Sequence, residues 1–449
     1  MSRPPVPPGP HLVVGLARSG IAAALALRAR GETVLGADSA GLAPAELLEA
    51  GVEIVAADPA VLERVGGVVK SPGVPAGAPL IAAARERGLP VIGELELAWR
   101  LLPNEFVAVT GTNGKTTTVE LIGAIYRSSG RPVAVAGNVG RALSLLATPP
   151  PHGEAPLDPA VTIVCEASSF QLEDTEAFAP RAAVLLNIAP DHLDRHQDLE
   201  AYKAAKLRIF ANQGAGDLAV IPAELAGTLA IGGAASRVTF GSAPEADMRW
   251  DAGWLWWRGE RLAARADVRL RGPHNAHNAM AAAAVALESG QPAEGVRAAL
   301  ASFAGVAHRL EEVARREGVL YVNDSKGTNV ASTLVALRSF EPASVHVILG
   351  GRGKGEDFGA LADAVLERAR AVYLIGEAAG EIAAALAPGA ATAQIPITAC
   401  GTLAVAVAAA AAAAGEGEVV LLSPACTSYD QFRDFEARGE EFKRLVLGA

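Results

Sequence analysis

The run Gly111-Thr112-Asn113-Gly114-Lys115-Thr116-Thr117 constrains this chain more than any other stretch. It joins an apolar strand pattern, Phe106–Thr110, to a helix pattern that runs from Lys115 to about Ser129. In that context glycines let the backbone curl so that its N–H groups face phosphate oxygens, and the helix N-terminus adds positive potential. Lys115 can reach a β- or γ-phosphate, and the Thr116 or Thr117 hydroxyl can help to hold Mg²⁺. The general pattern has a further Gly five residues before Gly114; Val109 stands there, so this loop is a shortened form. The plain alternative is a glycine-rich strand-to-helix turn with a stray Lys. Strand, loop, Lys, Thr and helix all agree against it.

Strand and helix patterns alternate on both sides of this loop. His11–Gly15, Thr33–Ala37, Val52–Val55 and Gly67–Lys70 read as strands, with a helix over Ser19–Arg30. Pro103-Asn104 interrupts the series. Val161–Glu166 and Ala182–Asn187 are apolar runs that end in polar residues, and Trp250–Trp257 reads as a hairpin. A third series has strands at Val319–Asn323, Val345–Gly350, Ala371–Ile375 and Val419–Ser423. Alternation of this kind implies parallel sheets, and 449 residues are too many for one ordinary core. The expected fold class is α/β with three successive domains: a Rossmann-like domain over 1–103, a central P-loop mononucleotide-binding domain over 104–304 and a Rossmann-like domain over 305–449.

Composition excludes several classes of function. A formal net charge of −10 without a basic block argues against binding a nucleic-acid backbone. The longest apolar run, Leu403–Ala414, is too short to span a bilayer, and the Pro-rich start is not a signal peptide. Cys165, Cys400 and Cys426 are widely spaced, as expected of unpaired thiols in a reducing compartment. A cytoplasmic protein without membrane insertion is expected.

Glu166 closes one apolar run, and Asn187-Ile188-Ala189-Pro190-Asp191-His192-Leu193-Asp194 follows the next. Both fall at strand ends downstream of the phosphate loop, where α/β sheets place their chemistry. Mg²⁺ favours carboxylate oxygen together with phosphates and waters, so Glu166 suits it. His192 would be an unusual Mg²⁺ ligand, although imidazole can serve. Alone, either residue reads more readily as a cap or loop residue. Lys206, on the amphipathic stretch Glu200–Phe210, reads by itself as a solvated surface group.

Taken together, these motifs resemble the Mur ligases, ATP-dependent amide-bond enzymes of peptidoglycan precursor synthesis. The resemblance spans the chain after its Pro-rich start. Its elements are GTNGKTTT (Gly111–Thr118), GNVG (Gly137–Gly140), SSFQLE (Ser168–Glu173), NIAPDHLDRH (Asn187–His196), GPHNAHN (Gly272–Asn278), HRLE (His308–Glu311) and NDSKGTN (Asn323–Asn329). GGRGKGEDF (Gly350–Phe358) and Leu422–Phe442 look specific to the branch that adds D-glutamate.

The resemblance implies ATP and Mg²⁺ as cofactors, and UDP-MurNAc-L-Ala and D-glutamate as substrates of a monomeric enzyme. It implies ATP contacts from Gly111 through Thr117 and from Asn275, Asn278, Arg309 and Asp324. Thr116, Glu166 and His192 would hold Mg²⁺, with Lys206 carbamylated by CO₂ beside them; Lys115, His192 and Lys206 would be the catalytic residues. Ser19, Asp38, Ser71, Gly73 and Asn138 match the site for the UDP substrate. Lys326, Thr328, Lys354, Ser428 and Phe435 match positions around D-glutamate, where two carboxylates call for cations and N–H donors. Gly15-Leu16-Ala17-Arg18-Ser19-Gly20 resembles a dinucleotide fingerprint in which Ala17 replaces the second Gly, and Ala40 stands where relatives often carry a basic residue. The implied chemistry is phosphorylation of the substrate carboxylate by ATP, then attack of the D-glutamate amine on the acyl phosphate.

Three rival readings stay open at this point. Another amino-acid-adding ligase of the superfamily would differ around Ser423–Phe435. A dehydrogenase using the first domain leaves the Lys115 loop without a role. A nucleotide-state switch protein would carry an Asn/Thr-Lys-x-Asp motif, which this chain lacks.

Overall fold

A computed structural model of the chain describes residues 3–153, 156–191, 195–270, 272–355 and 357–448. They form two compact units: Met1–Arg269 with His274–Phe303, and Leu270–Pro273 with Ala304–Ala449.

The first unit contains two sheets. His11–Val14, Val34–Ala37, Glu53–Val55, Gly67–Lys70 and Val91–Gly93 build a parallel sheet in the spatial order third, second, first, fourth, fifth. This is the strand order of one Rossmann half and its neighbours. His11–Val14, Val34–Ala37 and Gly67–Lys70 are buried throughout because helices cover both faces. Leu12, Val13 and Val68 are accordingly buried.

The second sheet has nine described strands. Phe106–Thr110 lies between Thr162–Glu166 and Ala182–Leu185, parallel to both. The helix Lys115–Ser128 packs on this sheet through Val119, Leu121, Ile122 and Ile125, all buried. Phe178 fills the opposite side, edge-on to Trp99 and Phe106; such pairs add about 0.5–1.5 kcal/mol beyond area burial. The expected hairpin is present as Met248–Asp251 antiparallel to Trp254–Trp257.

The second unit is a six-stranded sheet in the order Glu311–Arg316, Val319–Asn323, Val419–Leu422, Val345–Gly350, Ala369–Ile375, Ile397–Gly401. Only the first of these is antiparallel to its neighbour. Leu403–Ala413 is a helix that buries Leu403, Ala406, Val407 and Ala410. Among the described residues no helix is long and apolar enough to cross a membrane, and none of the three cysteines forms a disulfide.

Candidate active site

The loop after Phe106–Thr110 turns on two glycines with positive φ, Gly111 at +151° and Gly114 at +87°. Gly114 caps the following helix, and no side chain caps that helix's first turn. Its N–H groups and dipole therefore face outward, ready for an anion. Not every loop N–H is available to a phosphate, contrary to the simplest expectation. Thr112 N–H donates to the Asn187 carbonyl at 3.1 Å, and Asn113 N–H donates to Asn187 Oδ1 at 2.9 Å. Asn187 Nδ2 returns a bond to the Asn113 carbonyl at 3.0 Å. The Thr112 hydroxyl accepts from Ala189 N–H and from Tyr202 Oη, at 3.0 and 3.1 Å. These bonds fix the shape of the loop and leave anion binding to the Gly114–Thr117 end. Lys115 Nζ folds back on the loop, donating to the carbonyls of Gly111 and Thr112 at 3.0 and 2.9 Å.

Glu166 is buried at the end of its strand, beside this helix start. Its Oε2 accepts from the Thr116 hydroxyl at 2.8 Å and its Oε1 from Asn138 Nδ2 at 3.1 Å. A buried carboxylate paired with a threonine hydroxyl at a phosphate-binding helix start is the donor set that Mg²⁺ takes when phosphates and waters complete its shell. Among the described residues no three His, Cys, Asp or Glu side chains cluster as a metal cage. His192, expected as a further ligand, lies outside the described residues.

Lys206 is buried rather than solvated, which overturns the reading of this residue in isolation. Asp198 caps its helix, Leu199–Leu207. Its Nζ donates to the Gly111 carbonyl at 2.8 Å and lies 4.4 Å from the centre of the Tyr202 ring. Burial, reinforced by the Lys115 cation, pulls this amine down to about 7, against the opposing pull of Asp191 and Glu166. Asn278, on the helix Pro273–Glu288, donates to Asn275 Oδ1 at 3.1 Å. Its carboxamide occupies the space that a Cβ on Gly114 would need. Asn275 and Asn278 therefore adjoin the phosphate loop.

A cavity of about 760 Å³ opens at the carboxyl ends of the first sheet. Ser19, Asp38, Ser71, Gly73 and Asn138 all line it. Asp38 accepts from Leu16 N–H and Ala40 N–H, both at 2.8 Å, so its carboxylate braces the turn that Ala17 enters. Ser71 Oγ donates to the Gly15 carbonyl at 2.6 Å. Asn138 is shared: its side chain reaches Glu166, while its carbonyl accepts from Arg18 at 2.7 Å.

In the second unit, Asp324 follows Val319–Asn323 and Ser423 follows the adjacent strand Val419–Leu422. The Ser423 hydroxyl donates to Asp324 Oδ2 at 2.7 Å. Burial lifts the Asp324 carboxyl to about 6, although the Ser423 bond and nearby Arg309 oppose the shift. Lys326 Nζ lies 5.9 Å from the centre of the Phe435 ring, and Thr328 N–H donates to the Lys326 carbonyl at 2.8 Å. Ser428 is buried at the head of its turn. Lys354 is exposed.

Sequence reasoning missed the residues that hold these parts together. Arg438 is buried and donates to the Ser325 and Cys426 carbonyls at 2.9 and 3.1 Å, tying the stretch that carries Lys326 to the one that carries Ser428. Its only signal was a basic residue within an otherwise amphipathic helix pattern. Lys70 and Asp174 form a buried pair at 2.7 Å; the signal was a Lys ending the apolar run Gly67–Lys70. Ser168 and Gln171 form a capping box, so part of the SSFQLE motif is helix initiation.

Comparison with known proteins agrees with this geometry. Residues 17–101 match the model described as "Mur ligase family, catalytic domain". Residues 109–286 match the Mur ligase middle domain, and 308–426 the Mur ligase, glutamate ligase domain. The chain is 43% identical over 458 residues to a protein of Myxococcus xanthus named UDP-N-acetylmuramoylalanine–D-glutamate ligase, covering 97% of each chain. It is 43% identical over 455 residues to the protein of that name from Acidobacterium capsulatum, covering 97% of this chain and 95% of the relative. The solved structure of a UDP-N-acetylmuramate-alanine ligase from Thermotoga maritima superposes with a TM-score of 0.60 at 20% identity, over 98% of this chain and 100% of that one; at that identity it speaks to the fold. With all three domain models matched in order and relatives aligned nearly end to end, the chain belongs to the Mur ligase family and is a ligase.

Proposed function

We propose that this ligase joins D-glutamate to UDP-N-acetylmuramoyl-L-alanine at the expense of ATP. The observation that carries the reading is the convergence of the Gly111–Thr117 loop, Glu166 and Lys206 at one edge of the central sheet, in a chain whose full-length relatives are named for that reaction. The substrate carboxylate attacks the γ-phosphorus and ADP leaves. The D-glutamate amine then adds to the acyl carbon and gives up a proton to a base, the tetrahedral adduct expels phosphate and an amide forms. A carboxylate is a poor electrophile, and its acyl phosphate supplies the leaving group.

The protein's share is placement and charge neutralisation. Lys115 and the Gly114–Thr117 N–H groups would grip the phosphates, and Asn275, Asn278, Arg309 and Asp324 are assigned to ATP. Thr116 and Glu166, with His192 and a carbamylated Lys206, would hold Mg²⁺, which when bound neutralises phosphate charge. Carbamylation needs a neutral amine: Nζ attacks CO₂ and releases a proton. Lys206, pulled down to about 7, offers far more of that form than an exposed lysine. The cavity lined by Ser19, Asp38, Ser71, Gly73 and Asn138 is assigned to the UDP moiety. Lys326, Thr328, Lys354, Ser428 and Phe435 are assigned to D-glutamate. Residues 1–103, 104–304 and 305–449 accordingly serve as UDP-substrate, ATP and D-glutamate domains.

The test is a screen of amino acids for ADP release with UDP-N-acetylmuramoyl-L-alanine and ATP. Release should depend on D-glutamate. Release driven by a different amino acid, or by none, would sink the assignment.

A further inference from the structure

Two motifs, SSFQLE and the Arg195-His196 end of NIAPDHLDRH, are only partly accounted for by helix capping and the candidate metal site. They meet in space. The Arg195 guanidinium lies 4.4 Å from the centre of the Phe170 ring, and Phe170 stacks on His196 with ring centres 5.4 Å apart. His196 is fixed in turn by Ser169 Oγ and by Glu173, each at 3.0 Å. The stack presents Arg195 to the first sheet. There its Nη2 donates to the carbonyls of Pro72 and Val74 at 2.7 and 2.8 Å, and its Nη1 to the Gly73 carbonyl at 3.1 Å. Lys70 Nζ also donates to the Val74 carbonyl at 2.7 Å, and Asp174, in the turn after the helix Ser169–Leu172, balances it.

Three consecutive carbonyls of one turn therefore point at two cations on its back. A trans peptide sets its N–H opposite the preceding carbonyl. Because Pro72 C=O faces Arg195, the Gly73 N–H faces the other way, and Gly73 lines the cavity. The other amides of the turn are committed: Ser71 N–H to Val14, Val74 N–H to Ser71, while Pro72 and Pro75 have none. A Cβ built on Gly73 meets nothing within 4 Å, so the residue is not packed in on its Cα side.

We propose that Arg195 is a positioning residue for the nucleotide-sugar substrate, acting through the Ser71–Val74 turn to aim the Gly73 amide at the ligand's acidic oxygens. This rests on the reading of the cavity as the UDP-substrate site. Loss of the grip weakens that one substrate and leaves the phosphate loop untouched.

The experiment measures kcat and each KM for the full-length enzyme and for Arg195→Lys, whose single ammonium cannot span three carbonyls as the planar fork does. Phe170→Leu serves as a second variant that keeps the donors and removes the stacking face. Charge-assisted hydrogen bonds of this kind predict a rise of about tenfold or more in KM for UDP-N-acetylmuramoyl-L-alanine in Arg195→Lys. Phe170→Leu should give a smaller rise in the same direction. The KM for ATP and D-glutamate and the saturating kcat should stay within about threefold. An unchanged KM for the nucleotide sugar, a parallel rise in all three KM values, or loss of folding in both variants would overturn the proposal. If the unmodified enzyme neither binds UDP nor turns over the nucleotide sugar, the functional reading fails instead.

Discussion

Glu166 Oε2 and the Thr116 hydroxyl lie 2.8 Å apart, one at the end of a strand and the other in the first turn of the helix after the phosphate loop. The pair brings a buried negative charge to the place where a triphosphate would put several more. That is tolerable only with a cation between them. Glu166→Gln keeps the shape and the acceptor for Thr116 but removes the charge. The Mg²⁺ concentration for half-maximal ADP release should rise by about tenfold or more, with an unchanged unfolding midpoint. An unaltered Mg²⁺ titration would remove Glu166 from the metal site.

Lys206 makes a sharper case, because its proposed working form is a covalent adduct. Incubation with ¹³C-bicarbonate should give a carbamate carbon signal that Lys206→Ala lacks. That variant should lose activity by about a hundredfold or more and regain part of it with formate or acetate, which can stand where the carbamate oxygens would. Full activity in the unrescued variant would rule out the adduct.

The Lys70–Asp174 pair is almost completely buried on both sides. Its net worth against an apolar pair is small, but breaking it strands a charge. Asp174→Ala should destabilise the first unit by about 3–5 kcal/mol. Replacing both residues with apolar side chains of similar volume should cost much less, and denaturant unfolding of the two variants compares them.

Asp324 titrates near 6 in the folded chain, above its ordinary 3.8, because it is buried. The sign follows from proton binding. Below about pH 4 the carboxyl is neutral in both folded and unfolded states, and the group is neutral toward stability. Between about 4 and 6 the folded state keeps a proton that the unfolded state has lost, so stability falls as pH rises, on the order of a few kcal/mol in total. Asp324→Asn should lack this slope. The difference in unfolding free energy between the two proteins, measured at pH 4.5 and pH 7, should favour the variant more at pH 7.

Contiguous apolar runs were legible in the sequence and long-range partners were not. Phe106–Thr110, Gly67–Lys70, Val319–Asn323 and Val345–Gly350 are observed with the bounds that their hydrophobicity predicts, since a doubly covered parallel strand is apolar throughout. Glu311–Arg316 escaped notice because an edge strand with sequence EEVARR carries charge on its open side. Val91–Gly93 is three residues long and offers no period to read. The phosphate loop and Glu166 were visible as motifs, whereas Lys206 was singled out only through the family resemblance. Asn187 accepting from two loop amides, and Arg195 gripping Pro72–Val74, join residues from distant parts of the chain, and no local pattern encodes such pairs.

The meeting of Gly114 with Asn278 has a consequence for how this enzyme can change. Gly114 needs its left-handed φ and has no room for a Cβ, because the Asn278 carboxamide fills that space. Gly114→Ala thus meets two obstacles, and Asn278→Ala removes only one of them. The double variant should suffer less than the two single losses added together. Mutational drift at the loop is conditional on a helix far along the chain, because a transplanted loop carrying any side chain at this position would collide with that asparagine.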